Sequence, residues 1–100
     1  MLPQNLQEKI PKLGFNEETP LAEIVIHAKY FFESFTWLVA ECEIQGDDVL
    51  FYGHVIHRGA PLFSEWGSFR LKHLEEIEPD DGVGVERDLQ FIACKFSEFK

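Results

Sequence analysis

The sequence predicts an α+β domain, in which a mostly antiparallel sheet of four to five strands carries one or two short helices packed on one face. Three strand-like runs of alternating residues occupy positions 24–57. The connections between them, Glu33-Ser34 and residues 45–48, are too short for a crossover, so these strands must be antiparallel neighbours. Two segments with apolar residues at helical spacing supply the helices.

Residues 1–100 are predicted to form one domain, with an N-terminal helix at about 3–13, the sheet at about 23–95 and a short helix at about 71–77. A chain of this length buries a core without metal or disulfide crosslinks. Cys42 and Cys94 lack the close spacing of a zinc or redox pair. Two reduced, buried thiols are therefore expected, with a disulfide as the alternative.

The N-terminal helix rests on Leu6, Ile10 and Leu13, which fall at positions i, i+4 and i+7. Pro3 suits a first helical turn, whereas Pro11 must end or tighten the helix because it has no N–H group. Residues 16–20 are predicted to form a loop before the first strand.

Side chains of a strand alternate between its two faces, which divides the three central strands into two sets. One set is apolar and predicts a core: Ile24, Ile26, Ala28, Tyr30, Phe32, Thr36, Leu38, Ala40, Cys42, Ile44, Val49, Phe51, Gly53 and Val55. The other set combines aromatic and basic side chains, among them His27, Lys29, Phe31, Trp37, Tyr52 and His54. A binding face is predicted on this second side.

Residues 66–70 are expected to form a fourth short strand. Leu71, Leu74 and Ile77 follow at a spacing of three and predict the second helix, which Pro79 and Gly82 end. Over residues 89–94, alternation of apolar residues predicts the last strand.

Eighteen acidic and nine basic side chains give a formal net charge of −9. This charge opposes direct nucleic-acid binding and attraction to anionic lipid. Five acidic residues within positions 75–81 are interpreted as a solvated helix end, or alternatively as a docking patch for a basic surface. No run approaches the roughly 20 apolar residues of a membrane span and no secretion signal is evident, so a cytoplasmic protein is expected.

Sequence signatures of catalysis are absent: there is no GxSxG, GxGxxG or Walker motif. Asp47-Asp48 is interpreted as turn chemistry. His27 and His54 could form a metal site with Glu41 or Glu43 only if the strand register brought them together, and ordinary strand histidines are the favoured interpretation. We therefore predict no enzyme, no cofactor and no metal site.

Arg87 lies in an acidic triplet, Glu86-Arg87-Asp88, at the start of the last predicted strand. One interpretation is structural, with its guanidinium tying that strand to a carboxylate or to backbone carbonyls. The other is a functional arginine that grips a phosphate or carboxylate ligand.

A set of motifs in fixed order resembles the family catalogued as domain of unknown function 2958: Leu2-Pro3, residues 10–13, Glu18-Thr19, residues 27–31, Thr36-Trp37, residues 46–48, Phe51, Gly53, Phe69, residues 71–74 and residues 86–89. The resemblance covers Leu2 to about Phe96, and the loop over residues 58–65 departs from the family pattern. It implies small proteins of plasmids, phages and integrative elements. The family has no established catalytic activity, so no functional residue is carried over.

The second face is too apolar to stay fully wet, so either the N-terminal helix and the 58–65 loop cover it, or another protein does. We predict a non-catalytic protein-interaction module of a mobile genetic element, with a protein partner or a second copy of the chain. Its predicted binding residues are Trp37, Tyr52, His27, Lys29, His54 and Arg87. The alternatives are an acidic inhibitor that mimics DNA towards a host defence or nucleic-acid enzyme, a small metal-dependent hydrolase, and an aromatic single-strand binder.

Overall fold

The computed structural model describes residues 2–59, 64–77 and 84–98. Its helices are α1 (Gln4–Gln7) and α2 (Leu71–Glu75), and its strands are β1 (Val25–Ile26), β2 (Ala28–Phe32), β3 (Phe35–Gln45), β4 (Asp48–His57), β5 (Glu65–Arg70), β6 (Glu86–Arg87) and β7 (Cys94–Lys95). Five strands form an antiparallel sheet in the order β5-β4-β3-β2-β6. β1 and β7 form a separate antiparallel pair. The predicted α+β class is confirmed.

Two tight hairpins build the centre of the sheet, as predicted. Glu33-Ser34 joins β2 to β3, with Glu33 at a φ of 52°. Gly46-Asp47 joins β3 to β4, with Gly46 at a φ of 65°. A glycine adopts this left-handed conformation without steric cost, which suits it to a two-residue hairpin loop.

Two irregularities shift the side-chain alternation that the sequence predicts. In β3 the register shifts between Val39 and Glu41, which leaves Ala40 as an extra, bulged residue. At His27 the chain passes from β1 to β2, and its N–H donates to the Val39 carbonyl at 2.8 Å. Each extra residue moves the following side chains to the other face. The prediction that side chains before and after each of these two points share a face is therefore wrong.

The sheet has a buried cluster on each face. The first core comprises Ile10, Ala28, Tyr30, Trp37, Val39, Cys42, Val49, Phe51, Leu74 and Val85, and the N-terminal segment and α2 pack on it. The second core comprises Ile24, Ile26, Leu38 and Ala40, with Ile56, Trp66, Phe91 and Phe96 packed around it. The β1–β7 pair and a 3₁₀ turn at Phe96–Glu98 therefore cover much of the face that the sequence left open.

The N-terminal helix is shorter than predicted, because it ends at Gln7 instead of near residue 13. The proline at position 11 cannot continue a helix and disfavours helical backbone in the residue before it. Instead, the Pro11 carbonyl accepts the Cys42 N–H at 2.9 Å, and Lys12 forms a parallel bridge with Cys42. The extended segment thus covers the edge of β3 beyond the end of β2.

The strand predicted over residues 89–94 is also wrong. The Asp88 carboxylate accepts the Gln90 N–H at 3.0 Å, and the Phe91 N–H donates to the Asp88 carbonyl at 3.3 Å. These bonds make a turn, in which Leu89 is 79% exposed and Ile92 is 82% exposed. Only the flanking segments pair, as β6 and β7.

The β3–β4 turn also anchors α2. The Asp48 carboxylate accepts the Val49 N–H at 2.7 Å and the Lys72 N–H at 3.0 Å, and Asp47 pairs with the Lys72 ammonium. These contacts with Lys72 lower the pKa of both carboxyl groups. The turn role predicted for Asp47-Asp48 therefore extends to fixing the start of the helix.

Some predictions fall outside the described residues, including Glu78, Asp80 and Asp81 of the acidic run and residues 60–63 of the 58–65 loop. Both cysteines are free thiols; Cys42 is buried and Cys94 is half-buried. Within the described ranges, no helix combines the length and the apolar character needed to cross a bilayer.

Candidate functional site

A cleft of about 340 Å³ lies on the second face of the sheet, over the middle parts of β3, β4 and β5. We refer to it as the Tyr52 cleft. Its walls come from the segment after α1 and from the sheet: Leu13, Gly14, Asn16, Glu17, Thr19, Leu21, Ile24, Glu41, Tyr52 and Ser68. The volume lies in the range of about 300–1,000 Å³ that is usual for ligand pockets.

Glu41 joins the two walls of the cleft. The carboxylate accepts the Gly14 N–H at 2.8 Å on Oε1 and the Asn16 N–H at 2.9 Å on Oε2. Its residue is only 4% exposed, although it lies in a strand between Ala40 and Cys42. The bulge at Ala40 turns the Glu41 side chain towards this face. The carboxylate therefore holds the segment from Gly14 to Asn16 against the sheet.

Sequence reasoning considered Glu41 only as a possible metal ligand. The signal that pointed further was a carboxylate inside an apolar central strand, because a buried charge must find hydrogen-bond donors or a cation. The identity of the donors was not readable, because they lie 25 and 27 residues earlier in the chain.

Tyr52 lies at the floor of the cleft, as part of an aromatic row on the second face. Its ring stacks on Trp66, with centroids 5.9 Å apart and planes 26° apart. Ser68 is directly opposite Tyr52 on β5. The floor thus offers one aromatic ring and two hydroxyl groups.

His54 continues this row but is packed under the C-terminal turn. Its ring contacts Trp66 at 5.2 Å and Phe96 at 4.8 Å, centroid to centroid. Its Nδ1 atom is buried and makes no hydrogen bond in the described part of the chain. Burial lowers the pKa of this imidazole.

His27 lines a different cleft of about 370 Å³, together with Phe15 and Val25. Burial lowers the pKa of His27 as well. His54 is not among the residues that line the His27 cleft. Among residues 2–59, 64–77 and 84–98, no group of three or more His, Cys, Asp or Glu residues is placed to hold a metal ion.

Lys29 belongs to a third cleft, of about 330 Å³, near the β2–β3 hairpin, with Phe31, Glu33, Arg58 and Asp88. Its ammonium lies 3.7 Å from the Asp88 carboxylate. Opposite charges therefore already meet at this position.

Trp37 and Arg87 lie on the first face, away from Tyr52. Trp37 is 8% exposed within the first core, and its ring stacks on Phe35 at 5.8 Å. Arg87 is half-buried opposite Tyr30 in the β2–β6 pair. Burial raises the pKa of the Tyr30 phenol, while the positive charge of Arg87 lowers it. The prediction that Trp37 shares a face with Tyr52 is wrong, because the bulge at Ala40 separates their alternation.

The two lowered histidine pKa values predict a loss of stability in mild acid. A histidine whose folded pKa lies below its unfolded value of about 6.5 binds more protons when unfolded, so the free energy of unfolding falls as pH drops from about 7 to 5. We expect His54→Phe, which keeps ring packing against Trp66 and Phe96, to reduce this slope. The pKa values of Asp47 and Asp48 are also lowered, and protonation of these two carboxylates reduces the free energy of unfolding only below about pH 4.

Urea denaturation followed by tryptophan fluorescence across this pH range measures the slope for the wild type and for His54→Phe. Equal slopes in the two proteins would contradict the assignment to His54. A stability that rises on acidification would contradict the direction of both pKa shifts.

Comparison with known proteins gives one match. The model of a family described as protein of unknown function (DUF2958) matches residues 5–99. No curated protein and no solved structure matches the chain. The match spans nearly the whole chain, including every residue of the Tyr52 cleft, and the chain therefore belongs to the DUF2958 family.

Proposed function

We propose that this chain is a non-catalytic protein-interaction module of a mobile genetic element, and that it binds its partner through the Tyr52 cleft. The observation that carries the proposal is the cleft itself, with an aromatic floor and an exposed wall. Asn16 and Thr19 line both this cleft and the His27 cleft, so the segment between them forms a shared wall. On either side of that segment, Phe15, which lines the His27 cleft, is 71% exposed, and Leu21, which lines the Tyr52 cleft, is 52% exposed.

Exposed aromatic and aliphatic side chains beside a concave floor are typical of protein interfaces, where a few such anchors supply most of the binding energy. Five of the six predicted binding residues do not line the Tyr52 cleft: His27, Lys29, Trp37, His54 and Arg87. Tyr52 is the one that lies at its centre.

The chemistry of the cleft favours binding over catalysis. The residues that line it include no histidine, cysteine or lysine. An activated hydroxyl nucleophile needs an adjacent base, most often a histidine, and the lining of this cleft has none. The Glu41 carboxylate is engaged by two backbone N–H groups.

The mobile-element setting rests on the family resemblance, and the cytoplasmic setting rests on the sequence. In such a setting the partner is a host or element protein. The acidic-inhibitor alternative remains open through the net charge of −9, and it predicts binding that competes with DNA and weakens steeply with salt.

Affinity capture of the tagged protein from host lysate tests the proposal, with Tyr52→Ala as the variant. We expect a wild-type partner to be lost or reduced at least tenfold, because truncation of a central aromatic anchor costs about 2 kcal/mol or more. Leu89→Ala is the matched control, since this residue is exposed but does not line the cleft. Both variants must unfold cooperatively as the wild type does.

Retention of the same partner by Tyr52→Ala would contradict a partner site in the cleft. Loss of the partner in Leu89→Ala alone would place the interface on the turn after β6 instead. A nuclease that is captured in competition with DNA would favour the acidic-inhibitor alternative.

A further inference from the structure

Glu41 carries a buried carboxylate that accepts two backbone hydrogen bonds and, in the described part of the chain, has no cation beside it. Its residue is 4% exposed, and in the described part of the chain no lysine, arginine or histidine lies within ion-pair distance of its carboxylate. An ionised carboxylate accepts about four hydrogen bonds, and Glu41 uses two of these positions, for Gly14 and Asn16. Buried charges are ordinarily compensated by a partner of opposite sign.

The surroundings of Glu41 reinforce the negative potential. Glu17 adds a second carboxylate to the wall of the cleft, and none of the residues that line the cleft is basic. The whole chain carries a formal net charge of −9. A concave site with carboxylates of one sign concentrates cations, because low-dielectric walls focus the field.

The remaining lining of the cleft suits a cation on an apolar stem. Leu13, Leu21 and Ile24 provide aliphatic surface along the walls, which is the surface that the methylenes of a long basic side chain cover. The ring of Tyr52 at the floor offers a face for a cation–π contact. Hydroxyl groups of Thr19 and Ser68 add acceptors for N–H donors.

We propose that the Tyr52 cleft binds the guanidinium group of an arginine side chain presented by the protein partner. This inference rests on the proposed function and specifies what the partner must carry. Arginine is favoured over lysine because its planar fork donates to a carboxylate through two N–H groups and stacks on an aromatic ring. Guanidinium is also more weakly hydrated than ammonium, so it enters a half-closed cleft more readily.

A titration with N-acetyl-L-arginine amide tests the inference, with the neutral isostere N-acetyl-L-citrulline amide as the control ligand. The readout is the NMR shift of the Gly14 and Asn16 amides, which donate to the Glu41 carboxylate and so report on any cation that reaches it. We expect saturable shifts with the arginine probe, weaker binding of the lysine analogue, and no saturation with citrulline. Added salt should weaken binding of the arginine probe.

Substitutions assign the binding to the cleft. Glu17→Gln is expected to weaken the arginine probe about two- to fivefold, as for a partly screened ion pair. Tyr52→Leu is expected to weaken it by a similar factor through loss of the ring face. Glu43→Gln is the matched control, because Glu43 lies two residues from Glu41 on the same strand but does not line the cleft.

Saturable binding that citrulline matches, or the absence of saturable shifts up to the solubility limit of the arginine probe, would overturn the inference. So would equal weakening by Glu43→Gln and Glu17→Gln. If the probe fails while Tyr52→Ala still abolishes partner capture, the proposed function stands and the arginine specificity is wrong. If the probe binds while capture is indifferent to Tyr52→Ala, the proposed function is wrong.

Discussion

Replacing Gly53 with alanine is expected to lower the free energy of unfolding by at least about 3 kcal/mol, a large fraction of the roughly 5–15 kcal/mol that stabilises a domain. A Cβ atom at this position would overlap the carbonyl oxygen of Leu38 and lie 2.8 Å from its carbonyl carbon. Normal contact between carbon atoms is about 3.5–4.0 Å. Both atoms of Leu38 belong to the backbone of β3, so no side-chain rotation relieves the overlap.

Gly67→Ala is the matched control for this prediction. Gly67 lies directly opposite Gly53 in the β4–β5 pair, yet a Cβ atom there meets no other atom within 4 Å. We expect this variant to equal or exceed the wild type by about 0.5–1 kcal/mol, since glycine weakens a strand interior. Urea denaturation of both variants measures the contrast, and similar stabilities of Gly53→Ala and Gly67→Ala would contradict the close approach of β3 and β4.

The hairpins of the sheet could be predicted from the sequence, whereas the bulge in β3 beside Gly53 could not. The hairpins at Glu33-Ser34 and at Gly46-Asp47 were predicted correctly, because turn residues and short connections are local signals. The bulge at Ala40 was not predicted, because it lies in the run Leu38-Val39-Ala40, where every residue is apolar and a change of phase leaves no mark. The sequence feature that pointed to the bulge was Gly53 in the facing strand, because a glycine inside a strand often marks a bulge or a close approach of backbones.

The bulge also determines how much of the candidate site could be predicted. Cys42 shares a face with Phe51, as expected, but the residues of β3 before Ala40 are out of phase with that assignment. Tyr52 kept its predicted face because β4 has no bulge of its own. The wall of the cleft could not be predicted, since it depends on contacts between Glu41 and residues far away in sequence.

Because of the bulge at Ala40, Trp37 belongs to the first core and not to the predicted binding face. Its truncation is therefore the second change with a large expected effect on stability. We expect Trp37→Ala to lower the free energy of unfolding by about 3–5 kcal/mol, as is usual when a large core ring is truncated. Its side chain belongs to the first core, lies opposite Val55 on β4 and stacks on Phe35. This loss is a large fraction of the roughly 5–15 kcal/mol that stabilises a domain.

Tyr52→Ala separates the core role of Trp37 from a role in binding. Tyr52 is half-buried on the opposite face, and part of its ring is in solvent, so its truncation removes less buried surface and is expected to cost less than half as much stability. Denaturation curves of the two variants compare these costs. A Trp37→Ala protein as stable as the wild type would mean that the ring faces solvent, and the unshifted strand alternation would then be correct. A large loss restricted to Trp37→Ala means that partner loss in this variant reports unfolding, whereas partner loss in Tyr52→Ala reports the binding surface.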